Sequence, residues 1–91
     1  EIPSYPIIRG SVRFNPTQDI AGLESSLMVF DPIGIDRTDG IKLKLSSGWL
    51  LVRPSGTEPL MRITVEAHDE HTAKNIYEKA AALIVNRRSL K

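Results

Sequence analysis

Residues 48–67 read Gly-Trp-Leu-Leu-Val-Arg-Pro-Ser-Gly-Thr-Glu-Pro-Leu-Met-Arg-Ile-Thr-Val-Glu-Ala, and the predicted architecture is organised around them. Its two apolar runs, 48–52 and 60–67, each have the composition of a β-strand. Between them, residues 53–59 contain an arginine, two hydroxyl side chains and a glycine, with prolines at 54 and 59. Because proline fixes φ, the pattern predicts a strand, a conformationally restricted loop and a second strand.

The predicted loop carries the side chains of an oxyanion site. Arg53 offers a planar guanidinium that can hold two oxygens at once. Ser55 and Thr57 can each donate a hydroxyl hydrogen bond, and Gly56 lets backbone N–H groups approach a ligand. The alternative is an ordinary turn in which Arg53 and Glu58 form a solvated ion pair, since Gly, Pro and Ser favour turns for local reasons. The loop lacks the P-loop spacing and its lysine, so these residues alone indicate only an oxyanion site.

The complete string resembles the C-terminal phosphate-binding signature of the α-D-phosphohexomutases, which include phosphomannomutase/phosphoglucomutase and phosphoglucosamine mutase. The similarity runs from Asp39 to Ala67, includes the lead-in Asp39-Gly40-Ile41-Lys42, and extends more loosely into the last predicted helix. It implies a cytoplasmic parent enzyme of four domains. Such an enzyme moves phosphate between the 1- and 6-positions of a hexose through a bisphosphorylated intermediate, using a serine of the first domain and Mg²⁺ held by the second.

By this resemblance the chain is the fourth domain, which binds the non-reacting phosphate of the hexose phosphate. The residues implied to bind that phosphate are Arg53, Ser55, Gly56 and Thr57, with Glu58 and Arg62 in supporting roles. We assign no catalytic residue and no metal ligand, because the chain has no Asp-x-Asp-x-Asp loop and no serine in the family's catalytic context. We therefore expect the isolated domain to be inactive and its partners to be the substrate and the other three domains.

Two alternatives remain open at this point. In the first, the parent acts on glucosamine phosphate rather than on mannose or glucose phosphate; the resemblance leaves this choice open, since it implies that the third domain reads the sugar. In the second, the chain is a stand-alone α+β module that binds a small ligand or RNA. Basic residues on an open sheet would suit RNA, but Trp49 is the one obvious base-stacking residue and the net charge is only +1. We expect no nucleic-acid partner.

Composition is that of a single globular domain. The chain has 91 residues, of which 41% are hydrophobic and 25% charged, and it contains no cysteine. The lack of thiols fits a reducing compartment such as the cytoplasm. No apolar run approaches the ~18 residues of a membrane span, so we expect no membrane partner. Since the chain starts at Glu1, we expect a fragment in which residues 1–7 are an interdomain lead-in and residues 8–91 form the domain.

Hydrophobic periodicity predicts the order β-α-β-β-β-α. The predicted elements are a strand at 8–14, a helix from a Thr17 cap to about 29, strands at 41–45, 49–53 and 60–67, and a helix from an Asp69 cap to about 87. Residues 35–40 are predicted to be a polar connection. The fold class is α+β in two layers, a mainly antiparallel four-stranded sheet with both helices on one face. The resemblance implies the TATA-binding-protein-like form of this architecture.

Three other features have weaker functional interpretations. His68 and His71 are interpreted as a solvated pair, since two imidazoles without a third ligand in sequence reach seldom hold a metal. Trp49 is predicted to be partly buried and close enough to the loop to form a wall of the site. Five basic side chains are predicted to share one sheet face: Arg9, Arg13, Lys42, Lys44 and Arg62.

Overall fold

The computed structural model of the chain describes residues 5–13, 20–38, 40–55 and 59–86. Within these ranges no helix is long and apolar enough to span a membrane. The elements, in chain order, are β1 (Ile7–Arg13), α1 (Ile20–Leu27), a 3-10 helix (Met28–Phe30), β2 (Gly34–Asp36), β3 (Ile41–Leu45), β4 (Gly48–Pro54), β5 (Leu60–Ala67) and α2 (Glu70–Asn86).

The strands form one antiparallel sheet in the order β1-β5-β4-β3-β2. This arrangement confirms the α+β class, but the predicted strand count was wrong. The described residues contain five strands rather than four, because part of the connection predicted at 35–40 forms β2. Ile35 at its centre faces Leu43 of β3 and packs against the core. A strand of three residues is too short to show the alternation on which the prediction depended.

One hydrophobic core lies between the sheet and the helices. On β4 and β5 every second side chain enters it: Leu50, Val52, Met61, Ile63, Val65 and Ala67. Helix α1 contributes Leu23 and Leu27, while α2 contributes Ala73, Ile76, Ala80 and Ile84, whose spacings of three and four residues place them on one side of each helix. Both helices therefore cover the same face. The predicted Phe14 and Thr17 lie outside the described residues.

The last helix begins where its capping residue predicted. The Asp69 Oδ1 atom accepts a hydrogen bond from the Thr72 backbone N–H at 2.7 Å. This bond satisfies one of the N–H groups that a helix start leaves without a partner. It also lowers the pKa of the Asp69 carboxyl below its ordinary value.

The opposite side of the sheet, called here the open face, is not covered by either helix. Its basic side chains are Arg9, Arg13, Lys42, Lys44, Arg53 and Arg62, and its acidic ones are Asp36 and Glu66. The five basic residues predicted to share a face do so, and Arg53 joins them. Because the whole chain has a net charge of only +1, positive charge is concentrated here.

Candidate functional site

The predicted loop joins the two central strands at one end of the sheet. Pro54 faces Met61, and the Ser55 N–H donates a hydrogen bond to the Leu60 carbonyl at 2.9 Å. That bond continues the β4–β5 ladder by one step, so Arg53 and Ser55 stand at the foot of the loop on its β4 side. The predicted site residues Gly56, Thr57 and Glu58 lie outside the described residues.

Arg53 is exposed on the open face near the end of β4. Its neighbour Val52 is only 1% exposed and points into the core, so strand alternation sends the Arg53 side chain outward. The buried Val52 therefore fixes the side of the sheet from which Arg53 reaches a ligand.

Arg62 lies directly opposite Arg53 on β5 and is also exposed. Opposed residues of an antiparallel pair have Cβ atoms about 4.5–5.5 Å apart, and like charges at such positions destabilise the sheet. Among the described residues the only ion pair joins Glu24 to Arg37, so no described carboxylate neutralises either guanidinium. The two arginines thus form a local concentration of positive charge at which an anion would be stabilised.

Gly40 packs against the backbone that carries Arg53. It has φ +108°, and a Cβ atom added there would lie 2.6 Å from the Val52 carbonyl oxygen and 2.8 Å from the Arg53 Cβ. Glycine alone suits both the conformation and the space. The sequence predicted a turn at Asp39-Gly40, but it did not indicate that Gly40 packs closely against Val52 and Arg53 of β4.

Beside Gly40, an ion pair ties α1 to the segment after β2. The Arg37 Nε donates to Glu24 Oε1 at 2.9 Å, and a second Arg37 nitrogen donates to Glu24 Oε2. These hydrogen bonds hold the pKa of the Glu24 carboxyl below its ordinary value. The pair borders a mainly apolar depression of about 340 Å³, whose wall also includes Val52 and Pro54 of β4. Sequence spacing did not reveal this pairing, because the partners are on different elements.

The prediction that Trp49 walls the loop was wrong. Trp49 is half-buried at the start of β4, four residues before Arg53, which places the two about 13 Å apart along the strand. There it faces Lys44 and Glu66, and the Lys42 ammonium lies 4.7 Å from its ring centroid. Trp49 therefore contributes a cation–π contact at the other end of the open face.

The two histidines have separate contacts. His68 packs edge-on against Tyr5, with ring centroids 6.0 Å apart, while a His71 ring nitrogen lies 3.2 Å from the Asn75 side-chain nitrogen. In the part of the chain that the structure describes, no three His, Cys, Asp or Glu side chains come together as metal ligands would.

Comparison with known proteins identifies the family. The model of the family "Phosphoglucomutase/phosphomannomutase, C-terminal domain" matches residues 12–83. The chain belongs to this family. The match covers the last two residues of β1, all of α1 and of β2 to β5, and α2 as far as Leu83. It therefore includes Arg53, Arg62 and the loop between them. The resemblance found in the sequence is thereby confirmed.

Relatives of this C-terminal domain include two archaeal proteins named "probable phosphoglucosamine mutase". The one from Methanopyrus kandleri is 40% identical over 87 residues, covering 92% of this chain and 19% of that protein. The one from Thermococcus gammatolerans is 41% identical over 88 residues, covering 92% of this chain and 20% of that protein. The chain thus spans about a fifth of the length of these relatives.

A solved structure shares the fold. The phosphoglucomutase/phosphomannomutase family protein from Burkholderia thailandensis superposes with a TM-score of 0.59 at 20% sequence identity. The superposition covers 91% of this chain and 18% of that one. The α+β architecture described above is therefore the fold of a domain within a larger mutase-family protein.

Proposed function

We propose that this chain is the substrate-phosphate-anchoring domain of a phosphohexomutase. In this proposal the phosphate of a hexose phosphate binds at the β4–β5 loop, held by Arg53, Ser55, Gly56 and Thr57. The observation that carries the proposal is the position of Arg53, exposed at the foot of that loop and opposed by a second guanidinium on Arg62. Two arginines without a described acidic partner favour a doubly charged oxyanion over a neutral ligand.

Each residue has a distinct proposed role. Arg53 binds two phosphate oxygens through its planar fork, and the hydroxyls of Ser55 and Thr57 add neutral donors. Gly56 admits backbone N–H groups to the anion. Arg62 adds positive charge from the neighbouring strand. We assign Glu58 to holding the shape of the loop, since a carboxylate in direct contact with phosphate would be repelled.

Anchoring would contribute to catalysis through orientation. A mutase that transfers phosphate between two ends of a hexose must hold its bisphosphorylated intermediate in two opposite orientations. A loop that recognises the phosphate rather than one face of the sugar serves both orientations. Binding energy gained far from the reacting bond then orients the reacting end.

The chemistry itself would belong to the rest of the parent protein. Mg²⁺ prefers carboxylate and other oxygen ligands, and no suitable cluster is present among the described residues. We therefore assign Mg²⁺ and the phosphorylated serine to other domains of a cytoplasmic parent, with which this domain would assemble. The isolated chain is accordingly expected to show no mutase activity.

We favour glucosamine phosphate as the parent's substrate. The two archaeal relatives quoted above, each about two-fifths identical over 92% of this chain, are both named phosphoglucosamine mutases. An RNA-binding role is not proposed, because the open face offers one large aromatic ring, Trp49, and Lys42 already lies over it.

A ¹⁵N-HSQC titration of the chain tests the anchor. We expect glucosamine 6-phosphate to shift the backbone amide signals of residues 53 and 55–57, Pro54 having none, and glucosamine to produce no shifts there. The affinity should be about millimolar, since a single phosphate must offset the entropy of association. Arg53→Gln should abolish the shifts. Lys44→Gln, which removes the same charge at the far end of the open face, should preserve them. Equal shifts with both sugars, or an unchanged titration of Arg53→Gln, would overturn the proposal.

A further inference from the structure

A second group of anion-binding side chains lies on the open face, one strand further from the loop. Ser11 of β1 faces Arg62 of β5, and two residues along the same strands Arg9 faces Thr64. All four side chains point away from the core. Directly opposed side chains have Cβ atoms about 5 Å apart and successive ones on the same face about 7 Å, so the four groups form the corners of a small quadrilateral.

A shallow depression lies between these four side chains. Its volume is about 280 Å³, and it is lined by Arg9, Gly10, Ser11, Arg62, Ile63 and Thr64. One water molecule occupies about 30 Å³ in the liquid, so the depression accommodates a compact oxyanion together with bridging waters. The two guanidiniums have only donors, and each of the two hydroxyls can donate one hydrogen bond to such a group.

Positive charge in this depression has no described counter-charge. Glu66 is the acidic residue closest to it along β5, but it faces Ile7 and Trp49 and forms no ion pair with Arg9. Asp36, the other acid of the open face, lies on the far edge strand, where its carboxylate accepts hydrogen bonds from Thr38 at 2.9 Å and 2.7 Å. The sheet thus keeps Arg9 and Arg62 close together without a described carboxylate between them.

We propose that Arg9, Ser11, Arg62 and Thr64 form a second oxyanion site, which takes a compact divalent oxyanion such as inorganic phosphate or the phosphate group of a phosphate monoester. Arg62 is shared with the loop site, whereas Arg9 belongs to the second site alone. A bound oxyanion would bridge β1 to β5 through charge-assisted hydrogen bonds and offset the repulsion between Arg9 and Arg62. The site does not depend on the loop's proposed role.

The test is a ¹⁵N-HSQC titration of the chain with inorganic phosphate, using sodium chloride at matched ionic strength as the reference. We expect specific shifts at the amides of residues 9–11 and 62–64, fitted by their own dissociation constant. Arg9→Gln should weaken that constant about tenfold, as the loss of a charged hydrogen bond would. Lys44→Gln, which removes the same charge from β3, three strands away from β1, should leave the dissociation constant unchanged.

Three outcomes would overturn the second site. The first is the absence of shifts at these amides. The second is an equal weakening of phosphate binding in Arg9→Gln and Lys44→Gln, and the third is equal shifts with sodium chloride. Either of the last two results would indicate diffuse electrostatic attraction to the whole open face. A parallel titration of Arg53→Gln separates this proposal from the loop anchor, because that variant should lose the shifts at residues 53–57 and keep those at 9–11. Replacing inorganic phosphate by glucosamine 6-phosphate then tells whether the second site accepts the substrate's own phosphate group or only the free ion.

Discussion

Arg53 and Arg62 stand directly opposite each other on β4 and β5, with both side chains exposed on the open face. Like charges at opposed positions lower the stability of an antiparallel sheet. The loss is comparable in size to the roughly 0.2–1 kcal/mol that a favourable pair contributes. This loss of stability is understandable if the pair exists to bind an anion. A mutation that removes the repulsion between Arg53 and Arg62 should therefore raise the stability of the chain and weaken its binding of phosphate.

Arg62→Glu should stabilise the chain while weakening phosphate binding. The new carboxylate would face Arg53 and convert a repulsive pair into an attractive one, raising the free energy of unfolding by about 0.5–1 kcal/mol. It would also compete with phosphate for the Arg53 guanidinium. Urea unfolding and a phosphate titration measure the two effects, with Lys44→Glu as the control that introduces the same charge beside Trp49 instead. Loss of stability in Arg62→Glu would contradict the interpretation of the pair.

Gly40→Ala should weaken phosphate binding at the loop, although Gly40 is not proposed to contact the phosphate. The added Cβ would collide with the Val52 carbonyl and the Arg53 Cβ, and φ +108° is itself unfavourable for alanine. We expect a loss of about 1–3 kcal/mol of stability together with altered chemical shifts at Arg53 and weaker phosphate binding. Gly34→Ala is the matched control, because the nearest atom to a Cβ there is a flexible Lys44 side-chain carbon at 3.5 Å. If Gly40→Ala binds phosphate normally, Gly40 does not position Arg53.

Asp69 should make the stability of the folded chain depend on pH in the acidic range. The Thr72 N–H lowers the pKa of its carboxyl below the ordinary value of 3.8. Its stabilising effect is therefore complete above that value and lost as the pH falls through the lowered pKa. Asp69→Asn keeps a capping oxygen but cannot titrate, so its melting temperature should fall less than the wild type's between about pH 5 and pH 2.5. Asp69→Ala should be less stable at both pH values. Parallel pH profiles for the wild type and Asp69→Asn would exclude this contribution.

Features that depend on local patterning were predictable from the sequence. The sequence predicted the strand at 60–67, the sharing of one sheet face by Arg62 and four other basic residues, and the Asp69 cap at the start of α2. These predictions succeeded because the side of a strand from which a residue projects, and the residues that cap a helix, follow from the local sequence. Composition alone indicated only an oxyanion site, and the prediction that the loop binds phosphate came from the resemblance of the whole loop to a known signature.

Features that depend on pairing between distant segments were not predictable. β2 has only three residues and is held in the sheet by its pairing with β3. The position of Trp49 was misjudged because a pattern gives the face of a residue but not its distance along the sheet from the loop. Likewise, nothing in sequence spacing places Ser11 opposite Arg62, since β1 pairs with the far more distant β5 and not with the next strand of the chain.

The steady-state kinetics of Arg53→Ala, in the full-length mutase that we propose contains this domain, test directly whether the loop anchors the substrate's phosphate. Losing a bidentate, charge-assisted contact of about 1.5–3 kcal/mol should lower kcat/KM by about 10- to 150-fold, with a clear rise in KM for glucosamine 6-phosphate. The kinetics of Lys44→Ala should remain near those of the wild type. Neither variant should lower the melting temperature, because Arg53→Ala removes the repulsion between Arg53 and Arg62. If Arg53→Ala showed near-normal kcat/KM and KM, the loop would not anchor the substrate's phosphate.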